Sequence, residues 1–211
     1  MSAKDWMLVY ADGEIRPILQ AAPAIDRDAT RALILRLYPA RRIAEIADGT
    51  LLEQANPPGD HVYAGCFPGL TVVCTGATAL SRPSQLHQRF LDEAAGRTLY
   101  LHVMDSVVDW FAYALWPGGA LRRALSLSPA SGIIENIGTP LAFEEPCWAG
   151  ERPSGAGKEP AYPFPFRPIA LAEGALRALF GFNFQGVCLT DDPDLEDIVL
   201  AGFAMQPTTG G

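Results

Sequence analysis

Seven side chains in one central stretch could do chemistry together: Asp105, Asp109, Ser128, Glu135, Asn136, Glu144 and Trp148. Carboxylates that converge beside an aromatic can exchange protons with a substrate or grip a polar ligand. Carboxylates at strand ends are also ordinary turn residues, so the group is a set of ligand-binding candidates without an assigned catalytic member. No metal or cofactor is expected with it. The three histidines, His61, His87 and His102, are scattered, and no Cys-x-x-Cys pair occurs.

These side chains need a scaffold, and residues 97–128 read as packed sheet. Residues 99–104 and 107–116 are two runs of β-branched and aromatic residues, which suit a pleated surface. Asp105-Ser106 between them reads as a tight turn, or as a bulge in one bent strand. Pro117-Gly118-Gly119 reads as a hairpin, because glycines accept the positive φ of a two-residue loop. With Gly118-Gly119 as that loop, Trp116 faces Leu121 and a third strand runs to Ser128. Alternation then puts Trp110, Ala112, Ala114 and Trp116 on one face with Leu121, Arg123, Leu125 and Leu127. Asp109, Phe111, Tyr113 and Leu115 take the other face. Trp110 is expected in the core, and Asp109 opposite Ser128 at the mouth of a cleft.

Other elements follow from local signals. Asp26 caps a helix over 27–37, and Pro39 stops it. Thr50 and Glu53 have capping-box spacing. Residues 61–66 and 70–74 form a hairpin about Pro68-Gly69, a type II turn pattern. In that register Cys66 faces Thr71 and Cys74 faces Tyr63, so the two thiols point to opposite faces and form no disulfide. Ser84 opens a helix to residue 94. Residues 149–161 are a loop by composition, with 150–160 the expected mobile stretch. The aromatic, proline-rich run 162–168 reads as an extended strap on the surface. A helix over 171–180 ends at Gly181, and 199–203 is a last strand. Residues 1–205 read as one α+β domain, a mostly antiparallel sheet covered by about three helices, with 206–211 as a flexible tail.

Composition narrows the partners. The chain has 211 residues, a formal charge of −8 and 49% hydrophobic residues, enough for a sizeable core. Only two of its sixteen basic residues are lysine. An acidic chain with no basic stripe makes nucleic acid an unexpected partner. The N-terminal residues lack a signal peptide and no apolar run is long enough to span a membrane, so a cytoplasmic location is expected. Free thiols are then the default for Cys66, Cys74, Cys147 and Cys188.

Several activities lose support. Gly155-Ala156-Gly157-Lys158 is not a phosphate loop, because Arg152 stands at the first glycine and Glu159 where Ser or Thr belongs. No G-x-S-x-G elbow and no G-x-G-x-x-G fingerprint occurs. His102, among apolar strand residues, reads as a core histidine; a Cys66–His102 nucleophile pair needs their strands to be adjacent. The acidic run 191–197 lacks the glycine of a calcium loop and reads as a solvated turn.

The run SVVDWFAYALW…LSLSPASGIIENIGTPLAFEEPCWAGE resembles an uncharacterised bacterial family of actinobacterial type, known only as a domain of unknown function. The LVYADG, VYAGCFPG and ALRALFGF segments resemble it too. The resemblance implies a bacterial intracellular protein and transfers no site residue. The expectation is a small binding or interaction domain whose ligand, a small molecule or a protein, is unknown. The alternative is a carboxylate-based hydrolytic enzyme acting on a small neutral or cationic substrate.

Overall fold

The computed structural model describes residues 3–151, 162–185 and 189–206. Nine strands form one sheet: β1 (Lys4–Ala11), β2 (Arg42–Thr50), β3 (His61–Phe67), β4 (Leu70–Thr75), β5 (Thr98–Asp105), β6 (Trp110–Trp116), β7 (Arg123–Ser128), β8 (Gly132–Ile137) and β9 (Val199–Gln206). Their order is β2-β9-β3-β4-β1-β5-β6-β7-β8, with antiparallel pairing throughout. The expected antiparallel sheet is therefore present, and it is large. Gln206, assigned to the tail, still belongs to β9.

Helices cover both faces, so strands such as β4 and β7 are buried along their whole length. On one face Met7, Val9, Val72, Phe111, Tyr113 and Leu125 pack with α1 (Ile15–Gln20) and α6 (Pro168–Leu179). On the other, Leu8, Tyr10, Val73, Leu101, Ala112 and Ala124 pack with α2 (Arg27–Leu37) and α4 (Gln88–Asp92). Residues one apart in β1 fall in different cores, as the two-residue strand period requires. With α3 (Leu51–Gln54) and α5 (Glu145–Trp148), six α-helices stand among the described residues, where about three were expected. Only α2 and α6 exceed six residues. The helix expected over 84–94 is a 3₁₀ turn, Pro83–Gln85, followed by the short α4.

Local signals hold where they are self-contained. Asp26 accepts from the Ala29 N–H at 2.9 Å, and the Thr50/Glu53 capping box forms. The β3–β4 hairpin turns at Gly69 with φ +73°, pairing Cys66 with Thr71 and Cys74 with Tyr63. Cys66 and Cys74 are free thiols, while Cys188 lies outside the described residues. The segment 152–161 also lies outside them. The strap begins as expected but sinks inward: Phe164 and Phe166 are buried in the α6-side core.

The central hairpins need correction. The β5–β6 connection takes residues 106–109, with Asp109 at φ +53°, so the second strand starts at Trp110. Trp110 itself is half-buried, tilted against Trp6 at 6.0 Å, with its Nε1–H donating to Ser126 Oγ. The β6–β7 register is Leu115↔Arg123 and Phe111↔Leu127, one residue off the two-residue loop. Pro117–Gly119 curls into a 3₁₀ turn closed by Ala120 N–H to the Pro117 carbonyl, so the return strand begins later. One residue of slip moves every β7 side chain to the opposite face. Arg123, Leu125 and Leu127 thus share a face with Phe111 and Tyr113. Asp109 and Ser128 do not face each other.

A buried polar clamp fastens α6 to the sheet. His102 on β5 lies 2.8 Å from Asp5 Oδ1 through Nδ1 and donates from Nε2 to the Ala172 carbonyl at 3.1 Å. Since a carbonyl only accepts, Nε2 carries a hydrogen, and Asp5 and Nδ1 share the remaining proton. Burial raises the Asp5 pKa, and His102 opposes that shift. Next along α6, both Glu173 carboxylate oxygens are buried without a well-formed hydrogen bond among the described residues. Burial pushes Glu173 up to about 7, although His102 and the nearby backbone of Gln185 and Phe184 favour its charged form.

Two outcomes test the clamp. His102→Ala leaves Asp5 buried without its partner and should cost about 3–5 kcal/mol in a denaturant titration, with Asp5→Leu/His102→Leu recovering part of the loss. Folded Glu173 holds a proton that the unfolded chain releases above about 4.5, so its contribution to stability should fall from there to about pH 7. Glu173→Gln should flatten that slope in thermal melts and raise Tm at pH 8.

Candidate functional site

The fold brings three of the seven candidate residues together and separates the rest. Glu144, fully buried at the start of α5, accepts from Arg123 Nε at 2.9 Å and NH2 at 2.7 Å. It also accepts from the Tyr113 hydroxyl at 2.5 Å, the Leu141 N–H at 2.8 Å and Trp148 Nε1–H at 3.2 Å. Arg123 NH1 donates to Asn136 Oδ1 at 2.6 Å and to the carbonyls of Ile137 and Gly138. Burial alone would raise Glu144, but the Arg123 and Tyr113 hydrogen bonds outweigh it and hold the carboxyl below its ordinary value. Burial, then the Glu144 charge, raises the Tyr113 phenol. Five donors on one carboxylate leave little capacity for a substrate, so the network ties β6, β7 and β8 to α5.

The other candidates are each engaged elsewhere. Glu135 accepts from the Ser84 N–H at 2.8 Å and hydroxyl at 2.6 Å. Asp105 pairs with Lys4 at 2.8 Å and accepts from the Val107 N–H. Asp109 accepts from the Tyr162 hydroxyl at 2.7 Å, Arg167 Nε at 3.0 Å and the Ile169 N–H at 2.9 Å, which anchors the first turn of α6. Ser128 Oγ accepts from the Ser131 N–H in the β7–β8 turn. Trp110, Ser128 and Ile134 border one shallow depression, which Asp109 does not line.

A nucleophile pair has no geometry here either. Cys66 on β3 is separated from His102 on β5 by β4 and β1, and burial raises the Cys66 thiol pKa. His102 spends both ring nitrogens inside the clamp. Among the described residues, no three His, Cys, Asp or Glu side chains could hold a metal ion. Asp191 and Asp192 pair with Arg16 and Arg177.

Unmatched charge points to a different place. Seven of the thirteen described arginines are answered by a carboxylate: Arg16 by Asp191, Arg27 by Asp48, Arg31 by Glu45, Arg36 by Glu93, Arg123 by Glu144, Arg167 by Asp109 and Arg177 by Asp192. Arg41 and Arg89 have no such partner among the described residues, yet both line one cleft of about 330 Å³ with Tyr38, Asp60, His61 and Thr75. Arg42, Arg82 and Arg122 also lack one, and are exposed, while half-buried Arg97 donates to Thr71 Oγ and the Glu93 and Ala94 carbonyls instead.

The cleft lies where α2 ends, β3 begins and α4 opens. Arg89 sits in the corner of two rings: its guanidinium carbon is 4.7 Å from the Tyr38 ring centre and 4.8 Å from that of Phe90, and the rings are inclined at 78°. Its Nε is buried with no acceptor. Tyr38 is fixed by a 2.9 Å hydrogen bond between its hydroxyl and Thr75 Oγ, and burial raises its pKa. A guanidinium packed against aromatic rings keeps its N–H donors for an oxyanion, which suits a carboxylate or phosphate. Sequence reasoning missed this place because Tyr38, Thr75 and Arg89 are far apart in the chain and carry no motif.

Residues 5–203 match a family described only as a family of unknown function (DUF6928). The chain belongs to this family. The match spans β1 through most of β9, so the DUF6928 unit is the whole sheet with its two helical layers. Curated proteins and solved structures gave no match. No helix among the described residues is long and apolar enough to cross a membrane.

Two substitutions test the roles assigned to the sequence candidates. Glu144→Ala strands a buried guanidinium and should destabilise by about 3–5 kcal/mol in a denaturant titration. Asp109→Asn removes a charge that three donors share, so Tm should fall whether or not small molecules are present.

Proposed function

We propose that this chain is a binding domain for a small anion, held in the cleft formed by Tyr38, Arg41, His61, Thr75 and Arg89. One observation carries the reading. In a chain of net charge −8, two arginines without a carboxylate partner line a single cleft, and one is packed against two aromatic rings. An acidic protein repels anions in general, so a local pair of unanswered guanidinium groups is a selective feature. Packing Arg89 against the rings in advance lowers the entropy lost when an anion binds. The binding or interaction domain expected from the sequence is thereby given a ligand class.

The hydrolytic alternative has less support. It needs a carboxylate with free lone pairs in a cleft, whereas Asp105, Asp109, Glu135 and Glu144 are each engaged by protein donors. A ligand role for the seven central candidates forms no part of this proposal.

Titration with inorganic phosphate and with acetate, against chloride at matched ionic strength, tests it by thermal shift and calorimetry. Wild type should gain Tm, and Arg89→Gln should weaken binding about 10- to 100-fold, the loss of a charge-assisted hydrogen bond. Arg42→Gln should behave as wild type. An Arg89→Gln protein that binds as well as wild type would sink the reading.

A further inference from the structure

We infer that the ligand of this cleft carries an ammonium group beside two anionic charges, the chemistry of an acidic amino acid. The inference rests on the anion-binding reading and adds the carboxylate that shares the cleft. Asp60 lines the same cleft as Arg41 and Arg89, yet it lies within ion-pairing distance of neither. Its side chain makes no hydrogen bond among the described residues, and it is exposed.

The backbone around Asp60 is tied down. The Asp60 carbonyl accepts from the Met205 N–H at 3.0 Å, which pins the residue to β9. The His61 N–H donates to the Pro58 carbonyl at 3.0 Å, and Gly59 between them takes φ +54°. Arg89 is pinned by its two rings.

Charge complementarity then selects the ligand. Two guanidinium groups and one carboxylate leave a surplus of one positive charge, apart from His61. A simple polyanion must face Asp60, and a simple cation must face Arg41 and Arg89. Like charges placed together cost affinity and exclude wrong partners. A ligand of net charge −1 with two anionic groups and one ammonium meets all three side chains with opposite charge. At about 330 Å³ the cleft is at the small end of ligand sites, which suits a single metabolite. His61 and the Thr75 hydroxyl supply further hydrogen-bonding groups on the walls.

Calorimetry on the full chain tests the inference with L-glutamate and L-aspartate against glutarate and succinate, which have the same two carboxylates and no ammonium. The amino acids should bind at least about tenfold tighter, a difference of about 1.4 kcal/mol. Asp60→Asn should abolish that preference, mainly by improving the diacids. Asp60 is exposed, and a wild-type Tm for the variant would establish that it folds. Equal or tighter binding of glutarate by wild type would overturn the inference, as would an unchanged ratio in Asp60→Asn. If phosphate or acetate binds through Arg89 but no amino acid does, this inference falls and anion binding stands. If no anion binds and Arg89→Gln is silent, both fall.

Discussion

A sheet covered on both faces leaves no wet side on which a strand residue can place an unpaired polar group. Every polar side chain on its inner strands must find a partner inside the protein or carry a large desolvation cost. That constraint explains the two buried ionic arrangements. Arg123 points into the α6-side core and is met by Glu144, Asn136 and two carbonyls. His102 points to the same side and is met by Asp5 and the Ala172 carbonyl. Each arrangement joins a strand to a covering segment, so the polar groups specify where the helices dock while apolar burial supplies the driving force.

The same constraint moves available chemistry to the ends of the strands. Saturated groups inside the layers have no capacity left for a ligand. At the cleft beside Tyr38, strand β3 begins and helix α2 has ended, so side chains meet solvent on one side and aromatic rings on the other. Arg89 packs there against two rings with no acceptor for its Nε, and the Asp60 carbonyl is bonded to β9. The distinguishing property of the place is charge left over after the protein has satisfied itself.

Much of the fold was legible wherever one short segment carries its own physics. The Asp26 cap, the Thr50/Glu53 box and the Pro68-Gly69 hairpin depend on residues within a few positions, and all three formed. The opposite facing of Cys66 and Cys74 followed from that hairpin by alternation alone. The β6–β7 hairpin failed because its turn is ambiguous by one residue: Pro117 draws Gly118-Gly119 into a 3₁₀ turn. In a sheet buried on both sides, either register places apolar residues in a core, so the hydrophobic pattern could not correct the error. The candidate site inherited that mistake, since Asp109 and Ser128 were paired by the assumed register.

By itself the sequence determined composition class, the mostly antiparallel sheet, the separate thiols and the buried character of His102, because each depends on local propensity or on apolar content. Tertiary structure alone decided which carboxylates meet which arginines. Tyr113, Arg123 and Glu144 come from three segments, and Tyr38, Asp60 and Arg89 from three others. Electrostatic partnership is set by distance in space, and chain spacing carries almost no information about it across a nine-stranded sheet whose strand order departs from sequence order. Only when the other pairings are in place does it stand out that two unanswered arginines, Arg41 and Arg89, line one cleft.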